Sequence, residues 1–373
     1  MRILFLDTTP IRRGAQVFVA DLANHLQEES YFVKRVYLYQ HKGNGTLQTG
    51  PFDTVLDGNP NHFCEKIPSI HPVVLYRLVQ TIRTFQPHII LCNGSRTLKY
   101  AAAAKCFVWN ATFVYRIIDS ANFWNTKTLK QWYYRNMVLP FFSGAVGVSR
   151  ASLNDMVQLY HFTKPTTVIP RAINTHAFDA TGNTLQCRET LGATPQSPII
   201  LFLGNLTAQK RPDRFLQIVK KIQLQIPEIQ AWLVGDGPLR TETEEQAKNI
   251  GLQQNVRFWG YQTQVASFIA ASNVLVLCSD TEGMPGVVLE AAYLGVPTVS
   301  ANVGGIAECL DDGISGYIVT KDAIDLYVEK IIFLIKNEPV CHQLGQAAKK
   351  KVNNFTIDIV AQKYLDFFQQ LRK

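Results

Sequence analysis

Nowhere in the 373 residues does an apolar run approach the roughly 18 to 20 residues needed to cross a bilayer. The longest candidate, residues 138–148, is interrupted by Pro140, Ser143 and Gly144. The first apolar run ends at Asp7, which is too early for a secretory signal, so it reads as a buried strand. Cysteine is sparse and unpatterned. Cys64, Cys92, Cys106, Cys187, Cys278, Cys309 and Cys341 are odd in number and lack metal-ligand spacing. Free thiols in a reducing, cytoplasmic setting are the expectation, with no structural zinc. His25, His41, His62, His71, His88, His161, His176 and His342 form no ligand spacing either. There is no repeat of 20 to 50 residues and no low-complexity segment. Gly235 and Gly237 are followed by Arg240 where a third glycine would be needed, so the G-x-G-x-x-G of a nicotinamide dehydrogenase is missing.

Apolar residues make up 47% and charged residues 18%, the balance of a globular chain. The length exceeds what one core holds and implies two domains. The net charge is +8, which favours anionic partners. Acids are scarcest between residues 96 and 150. There Arg96, Lys99, Lys105, Arg116, Lys127, Lys130, Arg135 and Arg150 face Asp119 alone. Aromatics share that stretch: Phe107, Trp109, Phe113, Tyr115, Phe123, Trp124, Trp132, Tyr133, Tyr134, Phe141 and Phe142. Cations beside Trp and Tyr suit an anionic membrane surface; the same aromatics would equally pack a core. Nucleic-acid binding rests on net charge alone and is not expected.

Strand and helix patterns alternate twice. Residues 2–7, 32–39, 88–92, 112–118, 144–148 and 167–169 read as strands, with helices at 16–27, 73–84, 100–107, 127–138 and 152–159. The alternation restarts with strands at 199–203, 230–234, 256–258, 274–277, 298–300 and 316–318. Residues 170–198 read as an irregular connection, and residues 357–371 as a final helix. Continuous apolar strands between helices imply parallel sheets covered on both faces. The class is therefore α/β, with two doubly wound domains and a ligand between them at the strand carboxyl ends.

Two stretches carry chemistry. In Ser279-Asp280-Thr281-Glu282-Gly283-Met284-Pro285-Gly286-Val287-Val288-Leu289-Glu290, two glutamates flank the start of a helix that follows a strand. Free N–H groups at that end suit a phosphate, and a carboxylate can accept two hydrogen bonds from a diol. The alternative is a plain helix start whose acid favours the dipole. In Gly204-Asn205-Leu206-Thr207-Ala208-Gln209-Lys210-Arg211, two cations precede a helix, where the dipole disfavours them unless an anion is present.

These residues resemble family-4 glycosyltransferases of the GT-B fold. Glu282 to Glu290 is similar to that family's E-x7-E element, Gly204–Lys210 to G-R-L-x-x-x-K, and residues 233–238 to its VGDGP turn. Gly304-Gly305-Ile306-Ala307-Glu308 with Gly313 and Gly316, Arg13-Gly14-Ala15-Gln16, Val148-Ser149 and residues 168–175 resemble further family elements in the same order. The resemblance implies two Rossmann-like domains facing across a cleft: an acceptor domain, 1–172, joined by a returning helix, 356–373, and a nucleotide-sugar domain, 173–355. It implies that Glu282 contacts the donor sugar and Glu290 the ribose. Lys210 neutralises the diphosphate, and Gly14 lets a loop approach it. The backbone of Gly283, Met284, Pro285, Gly286 and Val287 supports the phosphates, and Gly260 and Tyr261 lie near the base. It further implies a retaining transferase using a UDP- or GDP-sugar and a glycan or lipid-linked acceptor.

Departures qualify the roles. Asn205 stands where the family commonly has arginine, which shifts charge to Lys210 and Arg211. Arg13 replaces a glycine, and no histidine follows the strand ending near Ile118; Asp119 there faces either the acceptor or a structural role. The chain has no D-x-D triplet, so no metal or other cofactor is expected, and Lys210 with the helix end would stabilise the leaving phosphate. Neither half offers a carboxylate pair for double displacement, so front-face attack is the expectation. A non-catalytic relative and a GT-B epimerase are the alternatives. A phosphorylase would need a pyridoxal lysine that cannot be located.

Overall fold

The structure, a computed structural model, describes residues 1–41, 45–59, 70–124, 127–179 and 181–372, with backbone alone at 124 and 177. Cys64, His62 and the Trp124 side chain lie outside the described residues. The chain divides into two compact units, Met1–Ala172 with Ile357–Lys373, and Ile173–Thr356.

The first unit holds a seven-stranded sheet: β1 (Arg2–Asp7), β2 (Phe32–Tyr39), β3 (Asp53–Gly58), β4 (Ile89–Asn93), β5 (Thr112–Ile117), β6 (Gly144–Gly147) and β7 (Thr166–Val168). Their order is β3-β2-β1-β4-β5-β6-β7, and neighbours pair in parallel. Side chains alternate across the pleat, so one strand feeds two cores. Leu4 and Leu6 pack with Leu78, Ile82, Ile90 and Tyr100 on one face. Ile3 and Phe5 pack with Phe18, Leu22, Tyr364 and Phe368 on the other. That second face is covered by the helices Gly14–Glu28 and Ile357–Gln370, the final helix returning to the first sheet as expected. Val360, Tyr364 and Phe368 recur at helical spacing and are fully buried, each worth about 1.5–3 kcal/mol of apolar burial.

The second unit holds six strands: β8 (Ile199–Leu203), β9 (Gln230–Val234), β10 (Val256–Gly260), β11 (Val274–Leu277), β12 (Thr298–Ala301) and β13 (Gly316–Val319). The order β10-β9-β8-β11-β12-β13 is again all parallel. It reverses direction between β8 and β11, the switch point where doubly wound sheets bind ligands.

Three elements differ from the sequence reading. β3 was not anticipated, because Asp53, Asp57 and Gly58 obscure a strand pattern. It is an edge strand, and Arg35 makes its acid tolerable with bonds of 2.7 and 2.8 Å to the two Asp53 oxygens. The expected helix at 127–138 breaks into Thr128–Tyr133, a π-turn at Tyr134–Val138 and a 3-10 turn at Leu139–Phe141. Pro140 cannot continue an α-helix, and the wider turn lets Tyr134 and Val138 both bury. The connection at 170–198 is not irregular throughout. It contains the helices His176–Asp179 and Thr184–Thr190, the latter started by reciprocal Asn183 and Gln186 caps at 3.0 and 3.1 Å.

The basic aromatic stretch divides. Phe113, Tyr115, Tyr134 and Phe142 are core, while Phe107, Trp109, Phe123, Trp132 and Phe141 are exposed. Arg116 belongs to the interior. It donates to Asn93 Oδ1 at 2.8 Å and Tyr364 Oη at 3.0 Å, and lies 4.3 Å from the Phe18 ring centroid.

Candidate functional site

At the carboxyl end of β8, residues 204–211 form a loop that leads into the helix Pro212–Gln223. At the carboxyl end of β11, residues 278–285 form a second loop leading into the helix Gly286–Tyr293. β8 and β11 are neighbours, so the two loops meet. Lys210 Nζ stands 2.5 Å from Glu282 Oε1, and Ser279 Oγ donates to the same oxygen at 2.6 Å. Glu282 keeps 7% side-chain exposure and Lys210 22%. A carboxylate this buried needs partners, and these two supply them.

Backbone stitches hold the loops in register. Asp280 N–H donates to Gln209 O at 2.9 Å, and the Gln209 amide donates to Thr281 O at 2.9 Å. Two glycines permit the packing. At Gly304, φ is +53° and a Cβ would fall 1.5 Å from Glu282 O. At Gly235, φ is +136° and a Cβ would fall 2.0 Å from Gly204 O. Only glycine fits either position.

Arg211, expected to share the phosphate charge with Lys210, is engaged by the protein's own carboxylates. It adopts the left-handed conformation at φ +54° before the helix. Its Nε and Nη2 reach Asp213 at 2.9 and 2.8 Å, and Nη1 reaches Asp280 at 3.3 Å. The Asp213 hydrogen bond raises the guanidinium's pKa, and the Asp213 carboxyl is correspondingly lowered. Its charge is thus met by the protein, which leaves Lys210 as the cation at Glu282. Asn205 is exposed on the same loop.

The helix Gly286–Tyr293 has no side-chain cap and no acid in its first turn. Its first N–H groups have no intrahelical acceptors and form a positive end. Gly283, Met284, Pro285 and Gly286 are buried around it, while Val287 and Glu290 are half-buried. Gly260 ends β10, two strand spacings or roughly 10 Å from β8. Tyr261 follows it, its hydroxyl buried without a hydrogen-bond partner among the described residues. Gly14 belongs to the other unit, where it opens the helix Gly14–Glu28 beside the Arg171 guanidinium. Asp119 lies just beyond β5 and accepts from Ser120 N–H at 2.8 Å.

Arg214 and Asp280 were missed in the sequence. Arg214 is 2% exposed; it donates to Asp280 at 2.9 Å, to Asp322 at 2.6 Å and to the Cys278 carbonyl, tying the second loop to the helix after the first. A signal existed: Arg214 occupies an apolar-face position beside Phe215, Ile218 and Val219, where an unpaired charge would be costly.

Two family models match the chain: Glycosyl transferases group 1 over residues 186–351 and Glycosyltransferase Family 4 over residues 12–177. The chain belongs to the family-4 glycosyltransferases. It is 30% identical over 167 residues to the N-acetyl-alpha-D-glucosaminyl L-malate synthase of Bacillus anthracis, covering 45% of this chain and 44% of that one. It is 27% identical over 176 residues to an alpha-1,4-N-acetyl-D-galactosaminyltransferase of Campylobacter jejuni, named for a diphosphoundecaprenol-linked acceptor, covering 47% and 48%. The chain thus spans less than half the length of these curated relatives. Among solved structures it resembles HepE of Anabaena in complex with UDP and glucose, with a TM-score of 0.83, 20% identity, and coverage of 99% of this chain and 100% of that one. Two Rossmann-like units and this likeness make the fold GT-B.

Proposed function

We propose that the protein moves a glycosyl group from a nucleoside-diphosphate sugar to a glycan or lipid-linked acceptor, retaining the anomeric configuration and needing no metal ion. The observation that carries this reading is the Lys210–Glu282 pair at the switch point, beside an uncapped helix end. Lys210 and the N–H groups of Gly286 and Val287 receive the diphosphate. Glu282 Oε2 accepts donor-sugar hydroxyls while Oε1 is held by Lys210 and Ser279. Glu290 accepts the ribose hydroxyls, and Gly260 and Tyr261 lie towards the base. The solved HepE complex supports UDP as the nucleotide, and the Campylobacter relative supports a lipid-linked acceptor.

In the reaction, the bond between the anomeric carbon and the phosphate oxygen breaks. The acceptor hydroxyl attacks from the same face, and its proton passes to the departing phosphate oxygen. The products are the glycoside and a nucleoside diphosphate. Fixed positive charge at the departing oxygen lowers the barrier without reorganisation.

Membrane contact belongs to the same reading. Among the described residues, no helix is long and apolar enough to cross a membrane. Leu129, Trp132, Met137 and Phe141 are exposed beside the exposed cations Lys127, Lys130 and Arg135. Apolar anchors among cations suit the cytoplasmic face of an anionic bilayer. The test of the reaction is proton NMR of a transfer from UDP-sugar in the presence of a chelator. An α-linked product from an α-linked donor, with no adduct on Glu282 by mass spectrometry, is expected. An inverted product, a chelator block or a glycosyl-Glu282 adduct refutes it.

A further inference from the structure

The first unit has a concave feature at the amino ends of β1, β4 and β5, the opposite ends of these strands from Asp7 and Asn93. It is a cavity of about 550 Å³ whose walls include Arg2, Arg83, Gln86, His88, Trp109 and Asn110. That volume is within the range of small-molecule sites. No lining residue is acidic, and neither Arg2 nor Arg83 has an ion pair among the described residues. Arg83 Nη2 donates to Phe107 O at 3.3 Å, which holds one edge of the guanidinium at the rim.

His88 is oriented by its neighbour. Arg2 N–H donates to His88 Nδ1 at 2.8 Å, so the neutral ring carries its proton on Nε2 and offers a donor. Burial, then Arg372, Arg2 and the N-terminal amine, hold the imidazole below its usual pKa. Arg2 and Arg83 thus line the cavity as cations, with Arg372 also near His88, and no acid is among the described lining residues. Trp109 is 82% exposed and spends a large apolar face on solvent.

We propose that this cavity binds an acidic sugar unit, a pyranose carrying a carboxylate or a phosphate, at a place separate from the transfer site. The parts match that chemistry. An exposed indole offers a flat surface for the C–H face of a pyranose and a polar edge besides. The side-chain amides of Gln86 and Asn110 each donate and accept, as ring hydroxyls require. Guanidinium groups bind carboxylate or phosphate through paired N–H groups. A bare inorganic anion would use the arginines and leave the indole and both amides idle.

The experiment titrates the full-length protein with glucuronate, glucose 6-phosphate, glucose and inorganic phosphate. The readout is the Trp109 indole signal in proton–nitrogen NMR, identified among the five tryptophans by its loss in Trp109→Phe. A saturable shift with at least one acidic sugar is expected, and the better of the two identifies a uronic-acid glycan or a sugar phosphate as the source. Glucose and phosphate should each need about tenfold more, and Arg83→Ala should weaken the acidic sugar by about tenfold, the loss of a charge-assisted pair. Arg83 is exposed, so that variant should keep the wild-type melting temperature. No shift with either acidic sugar, an equal shift with phosphate alone, or unchanged affinity in Arg83→Ala overturns the assignment. The readout is binding at Trp109 and not turnover, so its failure leaves the transfer reaction standing.

Discussion

Lys210 and Glu282 lie 72 positions apart in the chain, and their charged groups meet at 2.5 Å where β8 and β11 adjoin. On the proposed reading the pair serves structure and chemistry together, and the two can be separated. Lys210→Ala leaves a nearly buried carboxylate with Ser279 alone, at a cost of about 1–3 kcal/mol. Adding Glu282→Gln removes the orphaned charge and should return most of that stability in urea unfolding. Transfer should not return: both variants should lose about 100- to 1000-fold in kcat, the scale of one removed electrostatic stabiliser.

Gly304 tests the loop packing. A Cβ there would meet Glu282 O at 1.5 Å, so Gly304→Ala must push the Glu282 loop aside. A loss of more than about 2 kcal/mol is expected, with donor affinity falling alongside. Gly313 is the control. Its φ is +71° with no atom within 4 Å of a built Cβ, so Gly313→Ala should cost only about 1–2 kcal/mol of backbone strain. Melting curves with and without nucleotide compare the two.

Arg214 is expected to act through Asp280 and Asp322, positioning the loop without touching substrate. Arg214→Met should destabilise the fold by about 2 kcal/mol, since it removes the guanidinium's hydrogen bonds to Asp280, Asp322 and the Cys278 carbonyl. Its effect on transfer should appear mainly as a raised KM, whereas Lys210→Ala lowers kcat. Steady-state kinetics on both variants distinguish the two patterns.

In the first unit Asp7 is buried at the end of β1. It accepts from Gln16 at 3.0 Å, Asn93 at 2.5 Å and Thr8 N–H at 2.7 Å. Desolvation nevertheless raises its pKa above the ordinary carboxyl value, with the hydrogen bonds and Arg116 opposing. A raised folded pKa gives stability that is full below the unfolded pKa and declines as pH rises through the folded one. The stability of the wild type relative to Asp7→Asn should therefore fall as pH rises from below 4. A difference that grows with pH would mean that the hydrogen bonds outweigh burial.

The strands that line up with sequence are those dominated by apolar residues. Arg2–Asp7, Phe32–Tyr39, Ile199–Leu203, Gln230–Val234 and Val274–Leu277 show the same bounds in pattern and structure. β3 escaped because its acid is neutralised by Arg35 on another strand, and no local pattern records such a partner. The helix Thr184–Thr190 escaped because it is too short for a periodic stripe; its buried Arg188 is satisfied by Ala271 O and Asn273 Oδ1, both remote in sequence. At the site, Lys210 and Glu282 were legible singly as residue types at helix starts. Their contact, and the engagement of Arg211 by Asp213 and Asp280, depend on which strands adjoin.

The most direct measurement of the central claim is the thermal shift produced by UDP in the wild type, Lys210→Ala and Glu290→Ala. A ligand that binds only the folded state stabilises it by about 2.7 kcal/mol at a hundred times its Kd. The account predicts a clear rise in melting temperature for the wild type under UDP, and its loss in both variants while each remains folded. An equal rise in all three proteins would contradict it.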